Sequence, residues 1–231
     1  MGEKVSFAVR GAQSVEDGTA DGYLARPESG SGPGILVLPT WWGLGGQIRS
    51  VADRLAGEGF VALAPDVYGG TVVSSADEAQ RLAAALPVDR VAGDLVGAAR
   101  YLADAVNGKV GAVGFGLGGA LALFGAGLSE DIVAVAAFYP LVPWQPAQPD
   151  WAAFAGTAAV VHAAAEDAVT TGPELDVARK AVEEAGGELT IHEYPGTKRG
   201  FYNDDRLDTY DPHAATSAWA RSLELFRTRL S

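Results

Sequence analysis

Short continuous apolar runs alternate along the chain with longer segments whose apolar residues recur every three or four positions. The runs Ile35–Leu38, Phe60–Ala64, Lys109–Val113, Ile132–Phe138, Ala158–Ala163 and Leu189–Tyr194 predict strands. Uninterrupted apolar character, as in Ile35–Leu38, is what burial on both faces requires. Val5–Val9 and Tyr23–Arg26 predict two early edge strands joined by a polar turn. Between the runs, Ile48, Val51, Ala52, Leu55 and Ala56 share one helical face. Further helices are predicted over Ala76–Ala85, with Ser75 as cap, and over Val88–Val106, Glu174–Ala185 and Ala214–Leu230. Gly186 and Gly187 stop the Glu174 helix. Strand and helix alternate without a long linker or a repeat. The pattern predicts one doubly covered, mostly parallel sheet spanning residues 1–231, with its ligand crevice beyond the carboxyl ends of the strands.

Composition narrows the function. The chain has 231 residues, 48% hydrophobic, enough for one substantial core. Its 29 acidic residues against 17 basic give a net charge of -12, which disfavours nucleic acid. The absence of cysteine excludes disulfides and thiol catalysis, and with only three histidines a Cys/His metal site is not expected. No apolar stretch reaches membrane-spanning length and Met1–Ser6 opens no export signal, so a cytoplasmic protein acting on a small molecule, without membrane or cofactor, is expected. Gly43–Gly46 is glycine-rich, but Gln47 and Ile48 follow where a phosphate loop needs Lys and Ser or Thr. Oligomeric state is not legible.

The most informative motif is Gly114-Phe-Gly-Leu-Gly-Gly119, which follows an apolar strand and opens an Ala/Leu-rich helix. Strand, sharp turn and helix in this order present the Ser or Cys nucleophile of an α/β-hydrolase. Here the apex is Gly116, which has no side chain to attack a carbonyl.

Several further segments carry a family resemblance. They are Thr40-Trp-Trp-Gly-Leu44, Gly59-Phe-Val-Ala-Leu-Ala-Pro-Asp66, Tyr68-Gly-Gly70, His162 with Asp167, Tyr194-Pro-Gly-Thr-Lys-Arg-Gly-Phe201 and Tyr210-Asp-Pro-His-Ala-Ala215. With the elbow, they make the chain resemble the dienelactone hydrolase family of the α/β-hydrolases. The resemblance implies that fold and a Cys-His-Asp triad assisted by an acidic residue. At the corresponding positions this sequence has Gly116, Arg199, Asp167 and Thr40. Only the aspartate matches.

The expected site follows. Backbone N–H groups of Trp41 and Leu117 correspond to the oxyanion hole. Arg199 and Asp167 should face each other, either as an anion-binding group with its orienting carboxylate or as an ion pair locking two loops. Tyr139 is the candidate neutral acid or hydrogen-bond donor. Thr40, Trp42, Tyr68, Gly116, Trp144, Phe201 and Tyr202 are candidate ligand contacts around an apolar pocket with one polar or anionic end. His162, His192 and His213 read as structural or surface residues, Asp66 as a turn-fixing carboxylate, and Asp205 and Arg206 as a loop-fixing pair.

An oxyanion hole without a nucleophile suits enolate or polarised-carbonyl chemistry. The leading expectation is therefore a non-hydrolytic cyclase, isomerase or lyase acting on an apolar carbonyl compound, with polyketide-type biosynthesis as one setting. The alternatives are a noncatalytic binding protein and a hydrolase that uses water with Asp167.

Overall fold

The computed structural model describes residues 2–9, 18–142, 146–168 and 172–230. Among these, eight strands form one sheet: β1 (Glu3–Ala8), β2 (Thr19–Ala25), β3 (Gly34–Leu38), β4 (Val61–Pro65), β5 (Val110–Phe115), β6 (Ile132–Phe138), β7 (Ala158–Ala164) and β8 (Glu188–Tyr194). Their order is β1-β2-β4-β3-β5-β6-β7-β8. Pairing is antiparallel at β1–β2 and β2–β4, and parallel from β4 to β8. One expectation is corrected here. β2 is not an edge strand, because it lies between β1 and β4. Its polar start reads as an edge, yet Tyr23, Leu24 and Ala25 are buried on both sides of the sheet.

Helices α1 (Gly46–Gly57), α2 (Ala76–Ala84), α3 (Val88–Val106), α4 (Leu117–Ala126), α5 (Pro173–Glu184) and α6 (Pro212–Arg229) complete the layers. The period-two geometry of a strand sends Leu36 and Leu38 to one face, and Ile35 and Val37 to the other. The first face packs against α3, α4 and α5 through Leu95, Leu102, Leu121 and Leu175. The second packs against α1 and α6 through Ile48, Leu55, Trp219 and Phe226. All ten residues of α4 are buried, which explains why it lacks an amphipathic stripe.

Local chemistry sets the boundaries. The Ser75 hydroxyl accepts from the Glu78 N–H at 3.3 Å and starts α2. The Asp211 carboxylate accepts from His213 and Ala214 N–H groups and starts α6, whose first residue is Pro212. Asp66 accepts from the Tyr68 and Gly70 N–H groups, the turn-fixing role expected of it. No helix among the described residues is long and apolar enough to cross a membrane.

Candidate active site

The connections leaving the carboxyl ends of β3, β5, β6 and β8 surround a crevice of about 260 Å³. After β3, the Trp42 N–H donates to the Thr40 hydroxyl at 3.3 Å, and the Gly43 N–H closes the turn onto the Thr40 carbonyl. This tight turn turns Thr40, Trp41 and Trp42 toward the crevice, and the two indoles meet edge to face at 5.4 Å.

β5 ends in the elbow. Gly116 has φ +59° and ψ -113°, and a Cβ there would meet nothing within 4 Å. The conformation is strained for an L side chain, yet the space above it is open. Gly118 is the reverse case, because a Cβ on it would collide with the carbonyl oxygens of Leu38 and Pro39. Its missing side chain lets the start of α4 lie directly against the end of β3. The first N–H groups of a helix have no intrahelical partner. Gly116 and Leu117, at the start of α4, line the crevice.

β6 is followed by Tyr139, which has φ +36°, rare for a residue with a Cβ. The Tyr139 N–H donates to the His162 carbonyl at 2.7 Å, and the Leu141 N–H reaches the Gly116 carbonyl at 3.2 Å. These bonds hold the strained turn. Tyr139 is buried at the crevice wall. Burial pushes its phenol well above the usual range, so it remains a neutral hydroxyl.

Asp167 and Arg199 come from the turns after β7 and β8. The Glu166 N–H donates to the Thr197 carbonyl at 3.0 Å and ties the two turns together. Arg199 donates from Nε to Asp167 Oδ2 at 2.7 Å and from Nη2 to Oδ1 at 3.0 Å. Arg199 lines the crevice. A guanidinium has five N–H donors and no basic lone pair, so this group can bind an anion and cannot remove a proton.

The structure thus places Thr40, Trp41, Trp42, Gly116, Leu117, Tyr139 and Arg199 around one space, with Asp167 behind Arg199. Three other candidates lie elsewhere. Phe201 is fully buried, with Tyr139, Tyr194 and Phe138 as ring neighbours. The Tyr202 ring stacks on Phe115 at 4.9 Å, its hydroxyl accepts from Arg54 at 2.9 Å, and it borders a different cavity. Tyr68 packs against the core beneath the β3 turn, and burial pushes its phenol up to about 12. In each case the aromatic ring covers the core and does not face the crevice. Trp144 falls outside the described residues.

Sequence reasoning missed Gln47, Asn203 and Arg206 as crevice residues. Arg206 does fix its loop, gripping both oxygens of Asp208 at 3.1 and 3.0 Å, but it also lines the crevice. Its place four residues after the Phe201-Tyr202 pair carried no signal separating the two roles.

His162 is fully buried and does not border the crevice. Ser222 donates its proton to the Ala218 carbonyl at 2.9 Å, so its oxygen accepts from His162 Nε2 at 2.9 Å. That assignment leaves Nδ1 to accept from the Tyr194 hydroxyl at 3.0 Å. Desolvation is the main cause that lowers its pKa to about 3, with His192 and Arg221 adding to it. It is a neutral structural strut between β7, β8 and α6.

The fold and the site define a member of the α/β-hydrolase class. Residues 20–230 match the dienelactone hydrolase family. The chain belongs to that family. It is 32% identical to "Protein usf" of Aquifex pyrophilus over 244 residues, covering 100% of both chains. It is 32% identical over 240 residues to a putative carboxymethylenebutenolidase of Aquifex aeolicus, again covering 100% of both. A solved putative dienelactone hydrolase from Klebsiella pneumoniae superposes with a TM-score of 0.79 at 25% identity, covering 97% of this chain and 99% of that one. These similarities overturn the expectation of a cyclase, isomerase or lyase. The Aquifex aeolicus relative and the Klebsiella pneumoniae structure both carry hydrolase names. A missing nucleophilic side chain does not require a different reaction class, since an oxyanion site also serves addition of water.

Proposed function

We propose that this protein hydrolyses small activated lactones or enol esters, with water in the space over Gly116 taking the position a nucleophilic side chain would occupy. The observation that carries this reading is the open volume at Gly116, bordered by the first turn of α4 and by Trp41. Gly116 and Arg199 supply neither a side-chain nucleophile nor a base for a covalent route, and the chain has no cysteine. Water adds to the carbonyl carbon, negative charge grows on the carbonyl oxygen, and the backbone N–H groups of Leu117 and Trp41, both residues of the crevice wall, are the donors we assign to it. The ring oxygen leaves with the electron pair of the broken C–O bond and takes up a proton. Tyr139, neutral and at the crevice wall, is the group we assign as relay: its oxygen takes the proton the attacking water loses as its own proton passes to the leaving oxygen, so it ends as the neutral hydroxyl it began as.

Arg199 gives the site its substrate preference. Two of its N–H groups hold Asp167, and the remaining donors suit a carboxylate on the substrate. The Aquifex aeolicus relative is named a putative carboxymethylenebutenolidase, an activity on a carboxylate-bearing butenolide. The crevice, at about 260 Å³, lies below the usual range for drug-sized ligands. Oxyanion stabilisation and binding without a working triad leave about 10³–10⁴ in rate over water. Slow turnover confined to good leaving groups is the consequence.

The test is hydrolysis of p-nitrophenyl acetate and of a carboxymethylene butenolide by purified protein. Turnover above buffer, lower in Leu117→Pro, which removes one N–H at a helix position that tolerates proline, supports the reading. Rates equal to buffer for both compounds overturn it.

A further inference from the structure

A second cavity, of about 530 Å³, opens on the α1–α6 side of the sheet, with Gln47 bordering both it and the crevice. Its walls carry Ser50 and Arg54 from α1, Thr216 from α6, and Asp204 and Asp205 from the loop after Tyr202. The charged centre is Arg54. Its guanidinium lies over the buried Trp219 indole at 4.3 Å, and its Nη1 donates to the Tyr202 hydroxyl at 2.9 Å. Among the described residues it forms no ion pair with a carboxylate. Of five N–H donors, one is accounted for by Tyr202. The guanidinium is therefore fixed in place by contacts that leave its anion-binding capacity unspent, which lowers the ordering cost of binding.

We propose that this cavity is a second ligand site, for a small zwitterion of the amino-acid or dipeptide class. Arg54 takes the carboxylate. Asp204 and Asp205 take the ammonium group. The hydroxyls of Ser50 and Thr216 and the Gln47 amide face the polar middle of the ligand. A plain dianion such as phosphate meets two carboxylates in the same cavity, and a plain cation meets Arg54. A ligand with both charges satisfies both. The site is separate from the crevice chemistry and stands or falls without it.

The test is calorimetric titration of the full chain with glycylglycine, beside N-acetylglycine, glycinamide and inorganic phosphate. Saturable binding of glycylglycine is expected, with each singly charged analogue at least about tenfold weaker, the loss of one charged contact. Arg54→Gln should weaken glycylglycine by about tenfold or more. Asp204→Asn with Asp205→Asn, both at exposed positions, should weaken glycylglycine and strengthen N-acetylglycine. This pair of variants keeps the test decisive if Arg54→Gln loosens the contact with Trp219. No saturable heat with glycylglycine overturns the proposal. So does tighter binding of phosphate, or glycylglycine affinity unchanged in the variants.

Discussion

Arg199 holds both oxygens of Asp167, through Nε at 2.7 Å and Nη2 at 3.0 Å, and so closes one end of the crevice with a fixed cation. The Asp167 side chain is 12% exposed and that of Arg199 39%. A pair this open to solvent contributes at most about 1 kcal/mol to stability. Its larger consequence is chemical. A carboxylate engaged on both oxygens is poorly placed to accept a proton from water, and the guanidinium presents its remaining donors to whatever enters.

Arg199→Ala should therefore cost less than about 1 kcal/mol in urea denaturation. Its effect on function should be selective. The KM for a carboxylate-bearing lactone should rise by about tenfold or more, while hydrolysis of a neutral ester stays within about twofold. Equal losses on both substrates would remove Arg199 from substrate binding.

Gly116→Cys would add the one thiol of a cysteine-free chain to the crevice. Because the space there is open and Arg199 also lines it, that thiol should react readily with 5,5′-dithiobis(2-nitrobenzoate), giving one equivalent per folded chain. Reaction only after unfolding would mean that the crevice is closed in solution. Backbone strain at φ +59° should cost about 1–3 kcal/mol of stability.

Gly118→Ala should be tolerated less well than Gly116→Ala, although its own backbone is helical. The added methyl meets two carbonyl oxygens of the β3 end, which belong to backbone and cannot swing aside. Overpacking of this kind costs about 1–3 kcal/mol or more and moves α4 away from β3. Thermal melting would rank the two variants, and hydrolysis should fall with Gly118→Ala because the Leu117 N–H moves with the helix.

Stability should fall with acid through His162. Its folded pKa, lowered to about 3, lies below the unfolded value near 6.5. Protonation thus favours the unfolded chain. The stabilisation is complete above pH 6.5 and is lost as pH falls toward 3, at up to about 1.4 kcal/mol per pH unit. Urea denaturation between pH 5 and 6.5, before most carboxylates titrate, should show this slope. His192 is shifted the same way, by burial and by Arg221, and His192→Asn should remove only its own share. A flat profile in that variant would mean that His162 takes up its proton in the folded state.

What the sequence determined by itself was whatever depends on neighbouring residues and on the two periodicities. Continuous apolar runs located the buried strands β3 to β7, and the Gly114–Gly119 spacing located the elbow and the fully buried α4. Ser75 and Asp66 signalled their turns because a side chain reaches only nearby N–H groups. The meeting of Asp167 and Arg199 was implied by the resemblance of their motifs to the family's triad and not by any local spacing. Tertiary structure alone decided which aromatic rings reach the crevice. Trp41, Trp42 and Tyr139 do, whereas Tyr68, Phe201 and Tyr202 cover the sheet, because the same apolar surface serves either purpose and only three-dimensional packing chooses. It also decided the place of Arg54, which reads as an ordinary charge on the polar face of a helix. Its stacking on Trp219 and its bond to Tyr202 join residues 148 or more positions apart, and no local pattern encodes such a meeting.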